Sequence, residues 1–214
     1  MRILALDAAL AACSAGVVVD DVLRASRRAD AGRGHASLLP PMASAVLEEA
    51  GAVDLIAVTV GPGGFTGLRA ALSLAHGIGL GLGVPVIGVT VGEALADALP
   101  RLGGRALWVA IDSRRDRVFL DREGSVEAWA LPALPRPDGP VAVAGDAASA
   151  VAAALAACGA DVMLTDARGP LPRHVAVVAR RRYQGELPPL AAQPLYVDPP
   201  ETRLPAQPPR PPPG

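Results

Sequence analysis

The sequence predicts an α/β fold of two lobes, each a mixed sheet with flanking helices. The predicted elements run β-β-β-α-β-α-β-α through the first half, and a similar order begins again after the RLGG stretch at 101–104. Each half opens with an apolar strand that ends in an aspartate, Asp7 in the first and Asp112 in the second. The chain is 51% hydrophobic but only 3% aromatic, so small aliphatic side chains must fill the core.

These observations place the lobes at residues 1–102 and 103–198. A proline-rich tail follows at 199–214, and its end cannot be helical because proline lacks the backbone N–H that a helix requires.

The first half begins with a predicted antiparallel meander. Its strands are ILALDAA, SAGVVVD and VLRASRRA, with a tight turn at Asp20 and Asp21 before the third strand. A helix is predicted in HASLLPPMASAVLEEAG, because apolar residues recur there at helical spacing and Gly51 supplies a stop. Pro40 and Pro41 are expected in the first turn of this helix, where a missing N–H is tolerated.

The remainder of the first half alternates strands with helices. DLIAVTV is a continuous apolar run, which is typical of a strand buried on both faces. The glycine-rich stretch GPGGFTGLR and a long apolar helix come next. VPVIGVTV predicts another strand, and VGEALADALP predicts another helix.

The second half repeats this organisation in a shorter form. RALWVAIDSRRDRVFLDREGSVEAWAL predicts two or three strands, while VAVAGD and DVMLTD predict one strand each. One helix is expected to run from a capping Asp146 to a stop at Gly159. PRHVAVVARRRYQG predicts the last helix.

Composition excludes several classes of function. The formal net charge is −1 and the chain contains no lysine, which excludes a Walker P-loop and Schiff-base chemistry. No basic run indicates independent nucleic-acid binding. Cys13 and Cys158 lie in alanine-rich surroundings without metal-type spacing, so both are expected to be buried free thiols. The N-terminus lacks signal-peptide features and Pro85 interrupts the apolar stretch at 70–92, which predicts a cytoplasmic protein.

A G-x-G-x-x-x-G pattern lies between a predicted strand and a predicted helix, and it resembles a dinucleotide fingerprint. Its glycines are Gly61, Gly63 and Gly67. Pro62 removes a backbone N–H that a pyrophosphate would need, and no acidic residue ends the next strand. The alternative is a structural turn that includes Gly64, with Thr66 as the helix cap.

The helix after this turn carries small residues four positions apart. They are Ala71, Ala75, Gly79 and Gly83. Such a stripe lets two helix backbones approach closely. Because the other faces are apolar as well, the helix must be covered on nearly every side. The sheet can cover one side, and a helix of this chain or of a partner is expected to cover another.

Several segments together resemble the TsaB (YeaZ) family. GPGGFTGLR resembles that family's signature G-P-G-S-F-T-G-L-R. Weaker motifs match in the same order along the chain: ILALDAALAACSAGVV, HASLLPPMASAVLEEAG, VAIDSRRDRVFL and PLYVDPPETRLP. The two halves also resemble the duplicated ribonuclease-H-like architecture that actin and the sugar kinases share.

The resemblance implies a non-catalytic scaffold or activating subunit of the assembly that forms threonylcarbamoyladenosine on tRNA beside the anticodon. Its partner would be the paralogous TsaD-type transferase, which uses a metal and an ATP-derived adenylate. A TsaE-type ATPase would join the assembly, tRNA would be contacted indirectly, and the isolated subunit could form a homodimer. The expected interface residues are Leu38, Leu39, Met42, Leu68, Arg69, Ala71, Leu72, Ala75 and Gly79.

Neither a catalytic set, a metal site nor a cofactor site is expected in this chain. A metal-holding paralogue would present two histidines four apart on the helix after the meander, but Leu39 stands at that offset from His35. Ala8 and Ala9 stand where the family commonly has hydroxyl groups. Two alternatives remain open, a nucleotide-binding kinase-like enzyme and a peptidase of the same fold, although no Ser/His/Asp set has a supporting context.

Overall fold

The computed structural model describes residues 1–114 and 116–197. Within these ranges the chain forms two five-stranded sheets, five α-helices and one short 3-10 helix. The tail predicted at 199–214 lies outside the described residues, as does residue 198.

The first sheet has the strand order β3-β2-β1-β4-β5. The strands β1, β2 and β3 form the predicted antiparallel meander, while β1, β4 and β5 run parallel. The strands are β1 (Arg2–Asp7), β2 (Cys13–Val19), β3 (Val22–Ala29), β4 (Leu55–Gly61) and β5 (Val86–Thr90).

The second sheet repeats this topology, with the order β10-β9-β6-β7-β8. Here β6, β7 and β8 are antiparallel, and β6, β9 and β10 run parallel. The strands are β6 (Ala106–Asp112), β7 (Val118–Arg122), β8 (Ser125–Trp129), β9 (Val141–Ala144) and β10 (Val162–Leu164). The predicted α/β fold with two mixed sheets is confirmed.

The helices cover the sheets and bury aliphatic cores. They are α1 (His35–Ala50), α2 (Phe65–Leu82), α3 (Val91–Ala98), α4 (Ala148–Ala157) and α5 (Pro172–Tyr183). One face of the first sheet packs against α1 and α2, and α4 packs against the second sheet. A separate apolar cluster joins the lobes, in which Leu10 and Leu68 meet Val109 and Ile111.

The last helix returns to the first lobe. In α5, Val175 and Val178 pack against Ile3, Leu55 and Ala57, on the face of the first sheet opposite to α1 and α2. The predicted boundary after residue 102 therefore separates the two sheets along the chain. It does not separate the helices, because the first lobe is completed by a helix from the second half.

The structure corrects three local predictions. α1 begins well before Pro40 and Pro41, so both lie in the second turn, where their rings are exposed and need no space in the core. Asp146 does not cap α4, because its Oδ1 accepts the N–H of Asp112 in β6 at 2.9 Å. Cys158 is exposed, since it follows the part of α4 that packs on the sheet.

Residues 187–197, here called the C-terminal strap, cross the first lobe beside α2. The N–H of Leu195 donates to the carbonyl oxygen of Val60 at 2.8 Å. Nε2 of His76, in α2, lies 2.8 Å from the carbonyl oxygen of Ala192, whose side chain is buried in the first core. The strap is therefore held by both the sheet and α2.

Arg182 is the buried cation that joins α5 to its surroundings. Its side chain is only 5% exposed. Nη1 donates to the carbonyl oxygen of Gly88 at 2.7 Å, Nε donates to that of Pro188 at 2.7 Å, and Nη2 pairs with the carboxylate of Glu93. One guanidinium thus connects α5 with β5, the strap and the N-terminus of α3.

Replacing Arg182 with methionine should lower the free energy of unfolding by about 3 kcal/mol, because Glu93 and two carbonyl groups lose a buried donor. Chemical denaturation followed by circular dichroism measures this change. The matched control is Arg181→Met, whose side chain is 42% exposed and pairs with Glu186 at 3.4 Å. The control should lower the free energy of unfolding by about 1 kcal/mol or less. Equal losses in the two variants would contradict the role given to Arg182.

Candidate partner-binding face and interlobe cleft

The glycine turn packs directly against the loop between β1 and β2. The N–H of Gly64 donates to the carbonyl oxygen of Ala9 at 2.7 Å. A Cβ atom on Gly63 would lie well under 3.0 Å from that oxygen, and one on Gly67 would lie as close to the carbonyl oxygen of Ala8. These glycines therefore permit two backbone segments to touch, which accounts for them without a bound phosphate.

The start of α2 corrects the cap predicted for Thr66. The N-cap is Gly64, in an extended conformation, and no side chain caps the helix. Thr66 lies in the first turn, because the helix begins one residue before it. Gly61 ends β4 and is joined to Pro62 by a cis peptide bond.

Asp7 is buried at the end of β1, next to this loop. Its Oδ1 accepts the hydroxyl of Thr59 at 2.6 Å and the N–H of Ala9 at 3.1 Å. Burial raises the pKa of Asp7 to about 6, although both hydrogen bonds and the charges of His35 and Arg28 act to lower it. The carboxylate is thus already engaged by groups of its own lobe.

A cleft of about 510 Å³ opens between the two lobes beside the β1–β2 loop. Its lining includes Ala8, Ala9, Arg33, His35, Phe65, Asp112, Arg114 and Asp146. The N–H of Arg114 donates to Asp112 Oδ1 at 2.8 Å. Burial raises the pKa of Asp146, and Nε2 of His35 lies 3.2 Å from the carbonyl oxygen of Ala11.

The carboxylates and histidines do not form a metal-type cluster. Across residues 1–114 and 116–197, no three His, Cys, Asp or Glu side chains are grouped so that they could hold a metal ion. The two residues that follow Asp7 are alanines, so the first-lobe loop offers the cleft no hydroxyl group for a phosphate at these positions.

Most of the predicted interface residues lie in the interior, which corrects their assignment to a contact surface. The buried members are Leu39, Leu68, Ala71, Leu72, Ala75 and Gly79. Their small size serves the packing of α2 on its own sheet: a Cβ atom on Gly79 would lie 2.6 Å from Cγ2 of Val86 in β5. Leu38 and Met42 are half-buried against the first core, and Arg69 is exposed.

A second set of small residues lies on the opposite side of α2. This α2 outer face consists of half-buried Ala70 and exposed Ser73, Gly77, Leu80 and Gly81. Open space surrounds the positions where Gly77 and Gly81 would carry a Cβ atom. Glycine inside a helix costs about 1 kcal/mol relative to alanine, so these two weaken α2 without serving the packing of the described chain. Leu80 is 87% exposed.

An exposed aromatic cluster borders this face at the N-terminal end of α2. The guanidinium carbon of Arg69 lies 3.8 Å from the ring centroid of Phe65, and Nε of Arg69 donates to the hydroxyl of Tyr196 at 3.0 Å. The two aromatic rings are 5.9 Å apart. We call these three residues the rim cluster. The sequence singled out only Arg69, because the strap residue Tyr196 is distant along the chain.

This chain is similar in sequence or in fold to several known proteins. TsaB of Escherichia coli, a tRNA threonylcarbamoyladenosine biosynthesis protein, is 34% identical over 124 residues, or 56% of this chain and 53% of that protein. A Pseudomonas aeruginosa protein with similarity to peptidase YeaZ superimposes with a TM-score of 0.72 and 25% identity, over 92% of this chain and 99% of that one. YeaZ of the same organism superimposes with a TM-score of 0.70 and 26% identity, over 91% of this chain and 100% of that one.

The family model for TsaD, tRNA N6-adenosine threonylcarbamoyltransferase, matches residues 29–157. The chain belongs to this family, within its TsaB (YeaZ) group. The resemblance to the TsaB (YeaZ) family is thereby confirmed. The chain spans about half the length of the curated relatives it matches, whereas the structural match extends over nearly all of both Pseudomonas aeruginosa structures.

Of the helices that the structure describes, none is both long enough and apolar enough to span a bilayer.

Replacing Asp7 with asparagine should stabilise the protein at pH 7 to 8. The pKa of Asp7 rises from its ordinary value of 3.8 to about 6 on folding. The contribution of Asp7 to folded stability is therefore largest below the ordinary pKa and is lost as the pH rises through the folded pKa, by about 3 kcal/mol in all. The amide keeps an oxygen that can accept the Thr59 hydroxyl and carries no charge.

Denaturation curves at pH 4, 6 and 8 measure this effect. The stability of Asp7→Asn relative to the unchanged protein should increase between pH 4 and pH 7 and then level off. A difference that does not vary with pH would show that burial does not raise the pKa of this carboxyl.

Two glycine substitutions in α2 should have opposite effects. Gly67→Ala should destabilise the protein by about 1–3 kcal/mol, because the new Cβ meets the carbonyl oxygen of Ala8. Gly77→Ala should stabilise it by up to about 1 kcal/mol through helix propensity alone. Thermal and chemical denaturation of the two variants provide the test, and a stabilising Gly67→Ala would refute the close backbone contact.

Proposed function

We propose that this chain is a non-catalytic subunit of an assembly that forms threonylcarbamoyladenosine on tRNA, and that it binds and supports a TsaD-type transferase. The observation that carries the proposal is the structural match over nearly the full length of YeaZ. The TsaB name of the E. coli relative supplies the reaction. The work of such an assembly on tRNA takes place in the cytoplasm.

The α2 outer face supports pairing with another helical protein. Its small side chains would let a partner helix approach closely, and the exposed Leu80 supplies apolar contact area. The buried residues Leu68, Ala71 and Ala75 lie on the other side of α2 and pack it into the apolar core clusters. In this proposal Leu38, Met42 and Arg69 remain candidates for direct contact, and the six buried residues do not.

The remaining components are assigned to the partners. The transferase carries the metal and receives the ATP-derived adenylate, a TsaE-type ATPase joins the pair, and tRNA reaches this chain only indirectly. When alone, this chain forms a homodimer through the same face. No cofactor is assigned to this chain, because Asp7 is engaged by Thr59 and Ala9 and the two residues that follow it are alanines.

A kinase-like nucleotide-binding enzyme is the second candidate, and one observation favours it. The interlobe cleft of about 510 Å³ falls within the usual size range of ligand pockets. Titration of the isolated chain with Mg²⁺–ATP in a calorimeter distinguishes the two candidates. Tight binding by the isolated chain would favour the enzyme, whereas the scaffold proposal expects none.

The groups that lie within hydrogen-bond distance of the histidine side chains do not favour a peptidase. His35 and His76 each lie at a backbone carbonyl oxygen, and Nδ1 of His174 lies 2.7 Å from the carboxylate of Asp97. A serine or cysteine nucleophile requires a base within hydrogen-bond distance. In the part of the chain that the structure describes, no histidine is bonded to such a group.

Gly77→Arg should weaken pairing with the TsaD-type transferase of the same genome by about 30-fold or more, because a long charged side chain would separate the two helices. Binding of each variant to the purified transferase, immobilised on a sensor surface, measures the affinity. The isolated variant should remain folded, since open space surrounds this position.

Gly139→Arg is the matched control, because Gly139 is also exposed with open space around it but lies in the second lobe. This control should bind the transferase as the unchanged protein does. Threonylcarbamoyl transfer to tRNA should require the transferase and should be stimulated by the control but not by Gly77→Arg. Product formed by this chain alone would refute the non-catalytic role.

A further inference from the structure

The rim cluster is only partly explained by contacts within the chain. Arg69 joins α2 to the strap through Tyr196, which accounts for the hydrogen bond. It does not account for the exposure of the rings, because Phe65 remains 52% exposed and Tyr196 47% exposed. The neighbouring Leu195 is 37% exposed. These apolar groups are therefore held in fixed positions at the surface by Arg69 and by the backbone bond of Leu195.

The charge of the cluster indicates what could cover it. Arg69 is the only Asp, Glu, Lys or Arg in the α2 sequence FTGLRAALSLAHGIGLGL. Its Nε is used by Tyr196, and no described side chain accepts a hydrogen bond from its Nη atoms. A carboxylate can bind two N–H groups of one guanidinium. Aromatic rings beside an arginine are also the composition that is enriched at the centres of protein interfaces.

We propose that the rim cluster anchors the partner on the α2 outer face, so that the C-terminal strap forms part of the binding surface. This inference rests on the pairing proposed above. The partner would be a helical protein surface that places an apolar side chain against Phe65 and Tyr196 and a carboxylate against Arg69. The rim cluster and the α2 outer face adjoin, so one partner helix along α2 could cover both.

The inference makes strap docking and partner binding mutually dependent. Tyr196 belongs to the strap, and the N–H of Leu195 donates to Val60 in β4. A partner that covers Tyr196 must stabilise the docked strap, and a docked strap must strengthen partner binding by the same factor.

The first experiment compares two variants that each shorten an exposed apolar side chain. Tyr196→Ala should weaken binding to the TsaD-type transferase by about tenfold or more, within the range found for interface anchors. Leu164→Ala is the control, because Leu164 is 47% exposed in β10 of the second lobe. Its affinity should not change. Tyr196→Phe keeps the ring and loses only the hydroxyl, so it should weaken binding less than Tyr196→Ala does.

The second experiment measures hydrogen exchange in the intact chain, with and without the transferase. Exchange of the Leu195 amide should slow in the pair, while the amide of Gly145, which donates to Ala167 in the second lobe at 2.8 Å, should exchange at the same rate. Unchanged binding by Tyr196→Ala, together with unchanged Leu195 exchange, would overturn the inference and leave the proposed pairing intact. Failure of the unchanged protein to bind would overturn both.

Discussion

The contact between the glycine turn and the β1–β2 loop determines how the first lobe is assembled. Two backbone segments meet there without intervening side chains, as shown by the bond from Gly64 to Ala9. This contact fixes where α2 begins. It also places the N-terminus of α2 and the end of β1 on the same wall of the interlobe cleft. The position of Leu68 in the apolar cluster between the lobes follows from the same constraint.

One face of α2 packs within the first lobe, and the opposite face is the one proposed to bind a partner. The face that contains Ala71, Ala75 and Gly79 lies on the sheet, where small residues allow a close approach. The outer face has small residues as well, but open space surrounds the positions where Gly77 and Gly81 would carry a Cβ atom. The strap limits the free surface further, since it contacts α2 through His76 and Arg69. What remains is a narrow strip of helix suited to another helix.

The alternation of elements and the two aspartates that end β1 and β6 were enough to predict the fold. A repeated order of strands and helices restricts the possible topologies strongly. The position of α5 could not be predicted in this way, because a helix near the end of the second half can pack on either sheet. The helix starts were predicted less well, as Thr66 and Asp146 show, since several residue types suit a cap and tertiary contacts decide among them.

The interface residues were the least predictable part of the candidate site. Spacing alone finds a stripe of small residues on α2, but two such stripes exist and the sequence does not show which one the sheet covers. The rim cluster could not be predicted from the sequence for a different reason. Phe65 and Tyr196 meet only because the strap returns across the lobe, and such long-range contacts leave no local pattern in a single sequence.

The position of α5 near the end of the chain has a consequence for folding during translation. The ribosome releases the five strands of the first sheet long before it has synthesised the helix that covers their second face. Until then Ile3, Leu55 and Ala57 lack their neighbours Val175 and Val178. The nascent chain must therefore carry an uncovered apolar sheet face while the whole second lobe is translated, and such exposed apolar surface is prone to aggregate.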